Sequence, residues 1–166
     1  MNDQTRRLAA ALLLGLAAPT LAGCSPEQSA MNEDDGRAIE AAVAGAVPDA
    51  AGAFASFTWS GAPNTQSILV RVYVDQTDPA FLAATAETTF ETVWRNAIRE
   101  PSSISFQAAQ GSRPSQPASD TLGNLDLAPL AEQFPEAHLG IAGQILKLSR
   151  EELADRYGPW SGKDAE

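Results

Sequence analysis

An α+β fold is the class this sequence predicts: a two-layer sandwich with helices packed on one face of a small antiparallel sheet. Three observations carry the prediction. Residues 67–75 alternate strictly, with Ile68, Val70, Val72 and Val74 on one face and Leu69, Arg71, Tyr73 and Asp75 on the other, the period-two signature of a strand. Downstream, Leu82, Ala86, Phe90, Val93 and Ala97 recur every three or four residues, the stripe of an amphipathic helix. The chain is 166 residues long, 44% hydrophobic and 19% charged, which is one domain's worth of ordinary globular sequence.

Each element then follows in order. Asn32 is placed to cap a helix whose first turn, Glu33-Asp34-Asp35, sets carboxylates at the positive end of the helix dipole. Ile39, Val43, Ala46 and Val47 form its apolar stripe, and Pro48 ends it. Residues 53–60 alternate with Ala53, Ala55, Phe57 and Trp59 on one face. The Gly61-Ala62-Pro63-Asn64 link to residues 67–75 is turn chemistry, so these two strands read as an antiparallel hairpin. Asp78-Pro79 opens the second helix, with Asp as cap and Pro at the position where a missing N–H costs nothing. Glu91 and Arg95 make a favourable i, i+4 pair on its outer side, and Glu100-Pro101 stops it.

Ile104, Phe106 and Ala108 alternate through a third strand. Residues 110–120 are rich in Pro and Ser and read as a mobile loop. Residues 128–134 are expected to form a short helix closed by Pro135, and residues 144–148 a fourth strand. Ser149 and Glu152 have capping-box spacing for a last helix through Tyr157, ended by Gly158-Pro159, with Trp160 folding back. The order α-β-β-α-β, then β-α, fits a permuted ferredoxin-like arrangement in which the fourth strand arrives last. The expected boundaries are a single domain over residues 32–160 and a short tail at 161–166.

Composition removes several function classes. With 11 Lys+Arg against 21 Asp+Glu the net charge is −10, so nucleic acid is not an expected partner. One Cys and one His leave no intrachain disulfide and no ordinary zinc site, and no cofactor motif is present. His138 lies among turn residues and reads as a surface side chain, because no nucleophile elbow accompanies it. Catalysis would fall to carboxylates, of which Asp75 and Asp78 are the nearest pair; a strand end and a helix cap account for both. Asp120, Asn124 and Asp126 lack calcium-loop spacing. Trp59, Trp94 and Trp160 read as core rather than as a ligand platform.

The first residues carry an address. Arg6 and Arg7 precede an uncharged, Ala- and Leu-rich stretch over residues 8–23, which is the layout of a secretory signal peptide and too short for a comfortable membrane span. The stretch ends in Leu21-Ala22-Gly23-Cys24. This tetrapeptide, behind that leader, resembles the lipobox of bacterial lipoproteins. The resemblance covers residues 1–24 alone. It implies removal of residues 1–23 and transfer to the Cys24 thiol of a diacylglyceryl group, whose acyl chains are of the palmitate type. It further implies an extracytoplasmic position on the cell membrane, or on the outer membrane where the organism has one. Residues 24–31 then read as a lipidated N-terminus and tether. Loss of Asp3, Arg6 and Arg7 leaves the remainder more acidic still, so anchoring rests on the acyl chains rather than on attraction to anionic lipid.

The functional expectation is a lipid-anchored, non-catalytic binding or interaction domain at the cell envelope, with an envelope protein as partner. The strand face carrying Leu69, Arg71 and Tyr73 is the first candidate surface. The alternative is a small hydrolase or ligand-binding protein built on a carboxylate cleft.

Overall fold

The computed structural model describes residues 26–59, 65–117 and 123–162, with side chains from Glu33 onward. The leader with Cys24, the Gly61-Ala62-Pro63-Asn64 link, Asp120 and the tail beyond Gly162 lie outside the described residues. Three helices, α1 (Pro26–Ala46), α2 (Pro79–Asn96) and α3 (Arg150–Tyr157), accompany five strands: β1 (Ala50–Trp59), β2 (Gln66–Val74), β3 (Ser103–Gln110), β4 (His138–Gly140) and β5 (Ile145–Ser149). The fold is α+β.

The strands form one sheet in the order β1-β2-β3-β5-β4. β1 and β2 are the expected antiparallel hairpin, in register from Ala53↔Val72 to Trp59↔Gln66. The sheet is mixed, not wholly antiparallel: β2 and β3 run parallel, with Ile68 beside Ile104 and Val70 beside Phe106. The reason is α2, which carries the chain back to the end where β2 began, as every strand-helix-strand crossover must. A permuted ferredoxin-like sheet would insert the last-arriving strand between β2 and β3. Here those two strands are adjacent, and β5 pairs on the far side of β3.

One sheet face is apolar and carries the helices. Ile68, Val70, Val72, Ile104, Phe106, Leu146 and Leu148 join Ile39 and Val43 of α1 and Leu82, Phe90, Val93 and Trp94 of α2 in a single core. Phe90 is fully buried between Phe106 and Phe134, with ring centroids 6.2 and 5.9 Å away. Trp94 satisfies its buried indole by donating to the Gly158 carbonyl at 2.9 Å, which ties α2 to the end of α3. The caps of α2 and α3 are those expected: the Asp78 carboxylate accepts from the Phe81 N–H at 2.9 Å, and Ser149 and Glu152 form a complete capping box.

Three elements depart from expectation. α1 starts at Pro26 rather than at an Asn32 cap, so residues 26–31 are helical and not an extended tether. Proline is at home in a first helical turn, and Glu27, Gln28 and Ala30 favour helix. The 128–134 helix shrinks to a 3₁₀ turn over Ala128–Leu130, followed by further turns. The three-residue β4, containing His138, is too short to leave an alternation in the sequence.

The β4–β5 turn is strained. Ile141 and Ala142 hold φ of 42° and 52°, a region that β-branched residues avoid, and Ile141 is 60% exposed. Since its side chain buries little, Ile141→Asn is expected to stabilise the fold by about 1 kcal/mol. A rise in the urea midpoint measures this; an unchanged or lower midpoint contradicts it.

Candidate functional site

A β1 edge strand ought to present unpaired backbone groups to solvent. Here α1 lies along it. Gly36 makes the approach feasible: a Cβ at this position would sit 3.3 Å from the Ala55 carbonyl oxygen. One turn later the Glu40 carboxylate accepts the outward Ala55 N–H through Oε1 at 3.1 Å.

The other half of the edge is closed by Arg113, from the loop after β3. Its Nε donates to the Ala53 carbonyl at 2.8 Å, its Nη2 reaches Glu40 Oε2 at 2.9 Å, and its Cζ lies 3.7 Å from the Phe54 ring centroid. Arg113 thereby ties together α1, β1 and its own loop. Gly52 provides the room. It sits at a bulge in β1 with φ of 132°, and a Cβ there would stand 2.6 Å from Arg113 Cδ.

Between α1, this edge and the face of the sheet away from the core lies a groove of about 480 Å³. Phe54, Leu69 and Pro117 give it apolar walls, and Arg71 and Gln107 contribute polar groups. Arg71 is only 8% exposed and Gln107 3%; Arg71 Nε donates to Gln107 Oε1 at 3.1 Å across the parallel β2–β3 pair. Burying a guanidinium is costly unless its donors are engaged, so this pair holds the cation in a defined place.

The structure thus brings two of the three expected surface residues, Leu69 and Arg71, to one groove. Tyr73 is not part of its lining. It is 5% exposed and packs edge-on against Phe54, with ring centroids 5.9 Å apart. Three participants were missed from the sequence: Arg113, Gln107 and the Gly36–Glu40 turn of α1. The one legible signal was Gly52, a glycine inside an alternating strand, which marks a bulge or a close approach.

The other candidates separate. Asp75 and Asp78 are both exposed, and the Asp78 carboxylate is occupied as a helix cap. His138 is exposed on β4. Trp94 is wholly buried, whereas Trp59 lies under the Arg99 guanidinium at 5.7 Å, so the tryptophans serve different places. Asp126 accepts from the Ala128 N–H at 2.9 Å, an ordinary turn bond. Among the described residues no group of three His, Cys, Asp or Glu side chains is placed to hold a metal ion.

A second charged cluster is structural. Arg156 on α3 grips Glu87 of α2 through Nε and Nη2, at 3.0 and 2.7 Å from Oε2, and reaches Glu136 at 2.6 Å. Its Cζ sits 4.7 Å from the Phe134 ring centroid. Hydrogen bonding to Glu87 raises the Arg156 pKa further, so its charge persists at any working pH. Beside it, burial and then the charge of Glu87 push the Tyr157 phenol above its ordinary value. The fold therefore prefers the neutral phenol. This contribution is complete below about pH 10, where the unfolded phenol titrates, and is lost as pH rises through the higher folded pKa. Alkaline urea melts are expected to show wild type losing more stability above pH 10 than Tyr157→Phe; parallel pH profiles would contradict this.

Among the described residues no helix is long and apolar enough to cross a membrane. Comparison of the chain with protein-family models, with curated proteins and with solved structures returns no match.

Proposed function

We propose that this chain is a lipid-anchored, extracytoplasmic, non-catalytic binding domain that holds a component of the cell envelope in the groove between α1, β1 and β2. The observation that carries the reading is the groove itself: an apolar-walled cavity with a buried Arg71–Gln107 pair in it, within the roughly 300–1,000 Å³ range of small-molecule sites. The lipobox-like Leu21-Ala22-Gly23-Cys24 supports the location.

Anchor and groove are close along the chain. α1 begins two residues after Cys24 and already lines the groove at Glu33. At 1.5 Å per helical residue and about 3.5 Å per extended one, that separation is roughly 20 Å at most. Two acyl chains would hold the groove at the bilayer surface and concentrate it beside membrane-borne ligands.

Crosslinking in intact membranes tests this reading, with the native chain compared to Cys24→Ala and to Ser56→Trp. Ser56 is exposed at the groove, so tryptophan there obstructs it without entering the core. The expected result is an acylated native chain that captures one component stoichiometrically, and a loss of at least about tenfold in each variant. A native chain without lipid, or capture undiminished by Ser56→Trp, would overturn it.

A further inference from the structure

The charges that line the groove are taken up within it. Arg37 pairs with Glu33 and Asp34, and Arg113 with Glu40, whose other oxygen accepts the Ala55 N–H. Arg71 is engaged by Gln107 Oε1 at 3.1 Å and by a further interaction. A charged ligand entering here would lose its hydration and find no counter-charge to replace it. The groove therefore favours an uncharged one.

One polar group is left over, and it is a donor. A guanidinium can only donate, so the bond from Arg71 turns the Gln107 carboxamide with its oxygen towards Arg71. The opposite end, Nε2, carries two N–H groups and has no hydrogen-bond partner among the described residues. Gln107 is only 3% exposed and lines the groove, so this donor end opens on the cavity rather than on bulk water. An amide donor in such a place is matched by an acceptor that brings no charge, which is a carbonyl oxygen. Phe54, Leu69 and Pro117 supply aromatic and aliphatic surface around it.

We propose that the groove binds a small uncharged molecule with one amide or ester carbonyl, the carbonyl accepting from Gln107 Nε2 and an apolar body lying along Phe54, Leu69 and Pro117. The inference rests on the reading of the groove as the binding site and adds the chemical class of its ligand. Arg71 is then a positioning residue: it fixes which end of the Gln107 carboxamide meets the ligand.

Calorimetric titration of the native chain in phosphatidylcholine nanodiscs tests it, with empty discs as the reference for partitioning. The probes are N-methyl-4-phenylbutanamide, 4-phenylbutyrate and 4-phenylbutylammonium, which share one body and differ in charge. The uncharged amide is expected to bind at least about tenfold more tightly than the acid or the amine. Gln107→Glu keeps an oxygen towards Arg71 but replaces the donor with a second acceptor. It should weaken the amide probe by at least about tenfold, with urea melts verifying that the variant folds. Ser56→Trp should weaken the same probe. Equal affinity for the three probes, tighter binding of a charged one, no binding of the amide, or amide binding undisturbed by Gln107→Glu or Ser56→Trp overturns the ligand class. Each of these leaves the groove's envelope role to the crosslinking result. If Gln107→Glu does not fold, the three-probe comparison on the native chain and the Ser56→Trp titration decide.

Discussion

Phe90→Ala is expected to cost about 3–5 kcal/mol, among the largest effects of any single truncation in the core. Phe90 is completely buried on α2 and touches Phe106 on the sheet and Phe134 in the loop before β4, so its ring joins three parts of the chain. Alanine there leaves a cavity bounded by two further rings held by their own neighbours, which limits collapse. Domains of this kind have a net stability of about 5–15 kcal/mol, so the variant would retain a fraction of the original margin. The melting temperature should fall by roughly 10–20 °C. Thermal and urea melts check this; a fall under about 3 °C would mean that the three rings are not packed as described.

Gly52→Ala is expected to cost about 2–4 kcal/mol although it adds one methyl group. Two independent penalties meet at the β1 bulge: a φ of 132° that L side chains rarely adopt, and a Cβ 2.6 Å from Arg113 Cδ. Relief of the second requires Arg113 to move away from the Ala53 carbonyl, Glu40 and the Phe54 ring, which would open one wall of the groove. Arg113→Ala removes that clash beforehand. The double variant should therefore be more stable than the sum of the two single losses implies, a coupling that urea melts resolve. Strict additivity would show that Gly52 and Arg113 do not meet.

Much of this fold was legible because burial leaves a period. The Ile68-to-Val74 alternation and the Leu82-to-Ala97 stripe both mark surfaces that lie against the core, and Val70, Val72, Ala86, Phe90 and Val93 are all buried. Caps were legible for a different reason: Asp78 with Pro79 and Ser149 with Glu152 are local devices, complete within a few residues. Strand order was not. Whether β3 lies beside β2 or is separated from it depends on how α2 packs, and nothing within any strand records that.

The groove divides along the same line. Leu69 and Arg71 were readable as one strand face. Their companions come from α1, β3 and the loop after it, and Arg113 meets Glu40 across 73 positions of sequence. Tyr73 shares the face by alternation but is covered by Phe54 of the neighbouring strand, a contact fixed by register rather than by its own surroundings. A lone sequence shows which side a residue faces; what lies on that side is set by the fold.

Photo-crosslinking in native membranes addresses the central claim most directly. A photoreactive phenylalanine at Ser56, exposed on the groove, is compared with the same group at Asp155, exposed on α3 away from it. The account predicts one discrete adduct from position 56 and none of the same mass from position 155. Identical adducts from both positions, or none from position 56 in an acylated, folded chain, would contradict the assignment of the groove as the site where this domain binds.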